Sequence, residues 1–221
     1  AFPTTTFAAM LRPTRFNVLL LCLLSGLLWT LAWPATYTGW TALAFVAWLP
    51  MFMAERLHDL RTDGHVRAFV PCALAGLILW NASTTWWLGA VSAPFATQLF
   101  TGIGPTIGNT LLMTFVWTLK RMVRRRAGQL FAPAAFVLFW LAFEHLHFDW
   151  DLTWPWLTLG NVFAESTTWI QWYQWTGVEG GSFWVLVVNT LLFAAITRWQ
   201  EGDRRWRMRL GSSPPRWSFR P

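Results

Sequence analysis

The sequence predicts an all-α protein, a polytopic membrane bundle of six transmembrane helices. Three observations predict it. Of 221 residues, 55% are hydrophobic and only 12% are charged, about half the charged fraction of an ordinary soluble domain. Nineteen are tryptophan, a residue that concentrates where hydrocarbon meets lipid headgroups. The apolar residues fall into six runs, 16–33, 39–55, 68–87, 97–119, 131–148 and 181–197, each 17 to 23 residues long. A helix rising 1.5 Å per residue needs ~20 residues to cross ~30 Å of hydrocarbon. Backbone groups in lipid must bond internally, so the runs are read as helices.

Taken in order, residues 1–15 form an N-terminal arm whose Arg12 and Arg15 precede the first run as in a signal peptide. The run is too long for one and no A-x-A site follows, so an uncleaved first span is expected. The second run is interrupted by Pro50, expected to kink or end it. The third and sixth hold single amides, Asn81 and Asn189, read as hydrogen-bonding across helices. The fourth contains "GIGPTIG" at 102–108, where Gly104 and Gly108 fit a small-xxx-small pair for close packing. The fifth carries Glu144. Residues 198–221 form a basic tail ending "GSSPPRWSFRP", expected to be disordered. Cys22 and Cys72 both lie inside runs and give neither a disulfide framework nor a zinc spacing.

The charges assign a direction. All 17 Lys and Arg lie in the arm, in the second and fourth connectors, and after residue 197; the first, third and fifth connectors have none. Six alternating spans from a cytoplasmic N-terminus put every basic segment inside, the C-terminus with them. The net charge of +7 is thus a topology signal, and no nucleic-acid partner is expected. The external connector 149–180 holds Asp149, Asp151, Glu165 and Glu179, no cation, and many aromatics. If 166–176 is helical, Trp169, Trp172 and Tyr173 share a face, as in a short helix lying on the outer surface.

"EHLHFDWDLTWPWL", residues 144–157, has the residue types of a metal or acid–base site. Helical geometry points His145 and His147 about 200° apart, whereas Glu144 and His147 share a face. An extended segment would instead align His145, His147, Asp149 and Asp151, but no metal is expected, since the run reads as a helix leaving the bilayer. Haem needs facing histidines on two spans. His58 and His65 are assigned to a basic connector, and the other two sit together, so no cofactor is expected. Glu144 lies about 20 Å along its span, so it should face the bundle or a wet cavity. Two readings of it stand: a partner for His147 or a backbone group, or a contact to a lipid headgroup. The candidate lipid-contact residues are Glu144, His147, Trp154, Trp156, Trp169 and Trp172; none is assigned as catalytic.

Three stretches resemble the membrane part of bacterial apolipoprotein N-acyltransferases: "SGLLWTLAWPATYTGWTALAFVAWLPMFM", "FEHLHFDWDLTWPWLTLGN" and "QWTGVEGGSFWVLVVNTLLF". They occur in the family's order and spacing. The resemblance implies an inner-membrane protein whose bundle carries an external nitrilase-like domain. There a cysteine thiolate takes an acyl chain from a phospholipid, a glutamate acts as base and a lysine stabilises the oxyanion. The acyl group then passes to the N-terminal diacylglyceryl-cysteine of a lipoprotein. This chain departs from that pattern. Lys120 is its only lysine, and Cys22 and Cys72 lie within spans near their inner ends. The chain is therefore expected to be catalytically incompetent alone, as part of a longer enzyme, as a truncated product, or as a non-catalytic subunit of a larger membrane complex. The implied partners are phospholipids, and the lipoprotein substrate or other membrane subunits.

Overall fold

The computed structural model describes residues 12–34, 40–62, 66–151 and 153–211. Six helices follow in order: α1 (Arg15–Ala32), α2 (Leu49–Thr62), α3 (Val66–Thr85), α4 (Phe95–Ala127), α5 (Ala132–Leu146) and α6 (Tyr173–Gly211). Short 3-10 turns occupy Thr41–Phe45, Trp86–Ala90, Pro155–Leu157, Leu159–Phe163 and Thr167–Trp169. The chain is an all-α membrane bundle with one helix from each apolar run. Arg15–Ala32, Ala68–Ala90, Phe95–Ala127 and Tyr173–Gln200 are long and apolar enough to cross a membrane, and α5 is apolar but has 15 residues.

The second run folds differently from a single span. It divides into the Thr41–Phe45 turn and α2, and Pro50 is the second residue of that helix. A helix start leaves its first N–H groups unbonded, so the N–H that proline lacks is no loss there. Pro50 therefore begins a helix instead of kinking or ending one. The helix then runs through Glu55, His58 and Asp59, so His58 belongs to α2 and not to a connector; its ring meets Phe69. His65 lies outside the described residues.

Two more boundaries move. Residues 198–211 continue α6 as helix instead of forming an irregular tail. The stretch lacks proline and holds five Arg with one each of Gln, Glu, Met and Leu, all good helix formers. Residues 212–221 lie outside the described residues. The surface helix over 166–176 is replaced by the Thr167–Trp169 turn and the first residues of α6. Gly177 interrupts α6 with φ +65° and ψ −173°, a conformation that only glycine adopts without strain.

Small residues and tryptophans set the packing. A Cβ on Gly26 of α1 would strike the Gly76 carbonyl of α3, and one on Gly76 would strike the Cys22 carbonyl, so these backbones meet at a small-residue contact. Ser25 Oγ donates to the Ala47 carbonyl at 2.6 Å. Asn189 crosses from α6: its Oδ1 accepts the Trp48 N–H at 2.9 Å and its Nδ2 donates to the Ala44 carbonyl at 2.8 Å. Trp29, Trp48, Trp80, Trp117 and Trp140 are all 1% exposed or less. The Trp29 and Trp80 rings stack at 4.8 Å, and Trp48 reaches Trp140 at 4.8 Å and Trp117 at 5.7 Å. Tryptophan thus builds the centre of this bundle as well as its edges.

The elements define two ends. At one, Arg15 and Arg61 lie within electrostatic reach of Cys72, and Lys120 and Arg121 of α4 pair with Glu55 of α2. Pro133 of α5 and Arg198 of α6 line a shared pocket with Lys120. The start of α1, the end of α2, the start of α3, the end of α4, the start of α5 and the later part of α6 therefore meet at one basic end. At the other, Thr101 of α4 bonds the Leu88 carbonyl, Trp87 meets Trp156, and His145 pairs with Glu179.

Candidate functional site

The aromatic end is organised by Glu144, in the last turn of α5. Trp140, one turn earlier, donates its indole N–H to Glu144 Oε1 at 2.9 Å. The Leu159 backbone N–H donates to the same oxygen at 2.7 Å. Ser182 adjoins the carboxylate and accepts the Gly160 N–H at 2.9 Å. Tyr173 donates its hydroxyl to the Gly160 carbonyl at 2.9 Å, and Asn161 donates its amide to the Pro155 carbonyl at 2.9 Å. One side chain from α5 and two from α6 thus hold the 155–163 segment down onto the bundle, where Leu157, Leu159, Val162 and Phe163 are buried. Gly160 is required at this point, because a Cβ there would strike the Val178 carbonyl of α6.

Of the two readings of Glu144, the contacts match the backbone one: it is 1% exposed and bonded to a main-chain N–H. His147 is buried at the C-cap of α5. Its carbonyl accepts the Trp154 N–H at 3.0 Å and its Nδ1 accepts the Trp150 indole N–H at 3.2 Å. Residues 147–151 form turns and a bend, so the extended arrangement of His145, His147, Asp149 and Asp151 does not occur. His145 turns outward to Glu179 at 2.9 Å.

Beside this clamp lies a pocket of about 390 Å³ between α4 and the segment after α5. Phe100, Gly104, Gly108 and Asn109 form the α4 wall, and His147 and Trp154 face them. The expected close packing of Gly104 and Gly108 is not found. Among the described residues, nothing beyond the helix's own neighbouring backbone stands within 4 Å of a Cβ built on either, and both face the pocket. Pro105 lies between them and removes one helical N–H. Asn109 donates to Asn81 Oδ1 at 2.7 Å, fixing α4 against α3 at the pocket wall.

The predicted aromatic residues divide into two groups. Trp154 lines the pocket, and Trp156, 54% exposed, meets Trp87 edge-on at 5.4 Å. Trp169 packs near Phe163 instead, and Trp172 near Tyr173 and Trp184. Sequence reasoning singled out neither Asn109, Gly160 nor Ser182. Asn109 carried a signal in being an amide inside an apolar run, whereas Ser182 and Gly160 acquire meaning only when the loop folds back.

The family model of the apolipoprotein N-acyltransferase N-terminal domain matches residues 25–191. The apolipoprotein N-acyltransferase of Chlorobaculum tepidum is 28% identical over 177 residues, which are 77% of this chain and 30% of that protein. The chain therefore covers about a third of the length of that relative. No solved structure matches it.

Proposed function

This chain belongs to the apolipoprotein N-acyltransferase family through its N-terminal domain, and from that premise we propose that it is the lipid-admitting membrane part of an acyl transfer from phospholipid to the N-terminal diacylglyceryl-cysteine of lipoproteins. The observation that carries the reading is the pocket at the aromatic end. Its walls are apolar, two glycines keep its α4 side open, and a few polar groups, Asn109 and His147 among them, face into it. That is the character of a site for an amphiphile. With the basic end placed in the cytoplasm by the charge bias, the pocket opens toward the outer leaflet of the bacterial inner membrane. Glu144 contributes by fixing the segment that follows the pocket wall, Trp154 by contact within the pocket, and the exposed Trp156 by contact with lipid outside it.

The residues of this chain take no part in making or breaking the acyl bond. Cys22 is fully buried in the core, and Lys120 is engaged with Glu55 at the opposite end. Two measurements test these statements. A phospholipid with a photoreactive acyl chain, activated with the chain in nanodiscs, should label peptides around 100–112 and 147–156. Gly108→Trp should reduce that labelling several-fold with the melting temperature unchanged, and equal labelling in the variant sinks the pocket reading. Incubation with acyl-labelled phospholipid should leave Cys22 and Cys72 unmodified, and a thioester on either refutes the non-catalytic role.

A further inference from the structure

The connection between α3 and α4 is held differently from the rest of the bundle. Residues 88–104 include no buried residue. The half-buried ones are Leu88, Gly89, Ala93, Gln98, Thr101 and Gly102, and these are the residues by which the two legs of the hairpin meet. Thr101 Oγ1 donates to the Leu88 carbonyl at 3.2 Å, and Gln98 Nε2 to the Val91 and Ala93 carbonyls at 3.0 and 2.9 Å. A Cβ on Gly102 would lie 3.2 Å from the Gly89 Cα. The hairpin is therefore bonded mainly to itself. It carries no charged residue, so it shifts within hydrocarbon without moving an ionised group.

Toward the middle of the bundle both legs are pinned. The Thr85 and Thr106 hydroxyls lie 3.2 Å apart, Asn109 bonds Asn81, and the Trp87 indole donates to the Thr84 carbonyl at 3.1 Å. Between the self-bonded and the pinned parts of α4 stands Pro105. It offers no N–H to the Thr101 carbonyl and crowds that carbonyl with its ring, which is where a long helix bends. On the other leg the joint is the 3-10 turn Trp86–Ala90. Phe100 and Gly104 of the hairpin line one side of the aromatic-end pocket. The facing side is fixed, because His147 is buried and receives bonds from Trp150 and Trp154.

We propose that residues 88–104 form a flap that pivots at Pro105 and, by swinging Phe100 away from Trp154, opens the pocket to acyl chains from the surrounding leaflet. That role depends on the pocket being a lipid site, the reading its walls support. A segment with few buried contacts opens at low cost, whereas the pinned part below Pro105 and the clamped wall opposite stay in place.

The test measures movement and lipid entry separately. Spin labels on Ser92→Cys in the flap and Leu146→Cys at the end of α5, both exposed positions, report their separation in nanodiscs by pulsed electron resonance. Cys22→Ala and Cys72→Ala keep the labels to those two sites. The parent should show two populated separations. Pro105→Ala restores the missing N–H and should merge them into one narrow separation. Mixing the chain with vesicles of the photoreactive phospholipid and flashing at intervals gives the rate of entry. Pro105→Ala should slow labelling of residues 147–156 several-fold while reaching the same final extent. Gly108→Trp, on the pinned side of Pro105, should lower that extent and leave the separations as in the parent. A single narrow separation in the parent, or one unchanged by Pro105→Ala, overturns the flap. Equally fast labelling of the parent and a narrowed Pro105→Ala variant shows that lipid enters without the flap and also overturns it. Two separations with no labelling of 147–156 in any variant refute the lipid reading of the pocket, and the flap's role in entry falls with it.

Discussion

Glu55 and Glu144 are both buried carboxylates, 2% and 1% exposed, at opposite ends of one bundle, and they are held by opposite means. Glu55 is surrounded by full charges, from Lys120, Arg121 and Arg124. Glu144 receives neutral donors, the Trp140 indole and the Leu159 amide, with Ser182 beside it. Ion pairing locks one helix to another through long side chains that are themselves desolvated, so each partner depends on the rest. Neutral donors hold a loop in place without bringing in a second charge, which leaves the neighbouring pocket apolar. The difference separates an end built for cohesion between helices from an end built to frame an opening.

Substitutions put that contrast at risk in order of size. Glu55→Gln removes the carboxylate that Lys120, Arg121 and Arg124 all reach and should cost about 3–5 kcal/mol, seen as a marked fall in thermal stability in detergent. Adding Lys120→Met should recover much of the loss, and no recovery would show that the cluster does not act as a unit. Glu144→Ala leaves two buried N–H donors without an acceptor and should cost about 2–4 kcal/mol. Glu144→Gln keeps an acceptor in place and should cost clearly less. Equal costs would mean that the charge of Glu144, and not its hydrogen bonds, holds the loop. Gly160→Ala forces a methyl against the Val178 carbonyl and should cost about 1–3 kcal/mol, with faster proteolysis of the 155–163 segment as the local signature. Glu179→Gln removes the exposed His145 pair, whose side chains are 76% and 39% accessible, and should cost at most about 1 kcal/mol. A larger loss there would make the aromatic end as charge-dependent as the basic one.

Much of the fold was legible because hydrocarbon imposes a length. Each apolar run gives one helix, and Asn189 does cross to its neighbours as a buried amide should. The inward orientation of Glu144 also followed, since a carboxylate facing lipid is expensive. Hydropathy did not reveal that the second run contains a break before Pro50, because the turn Thr41–Phe45 is as apolar as the helix after it. It did not show that Lys120 and Arg121 fold into the protein, since the acids that receive them are about 60 positions away. The spacing of Gly104 and Gly108 signalled close packing, yet the same absence of side chains opens a cavity when no helix is placed opposite. The clamp was legible only in part: Glu144 stood out, whereas its partner at Leu159 is a backbone group and carries no mark in a sequence.

The buried tryptophan cluster has an optical consequence. Among the described residues, the indole N–H groups of Trp29, Trp48 and Trp80 meet no hydrogen-bond acceptor, and their rings lie 4.8 to 5.8 Å apart. Chromophores this close exchange excitation, and shielding from water shifts their fluorescence to the blue. Ultraviolet emission from the native chain should therefore be depolarised and blue-shifted. Loosening of α1 from α3 should then register as a red shift, giving the protein an intrinsic gauge of its own core without any attached dye.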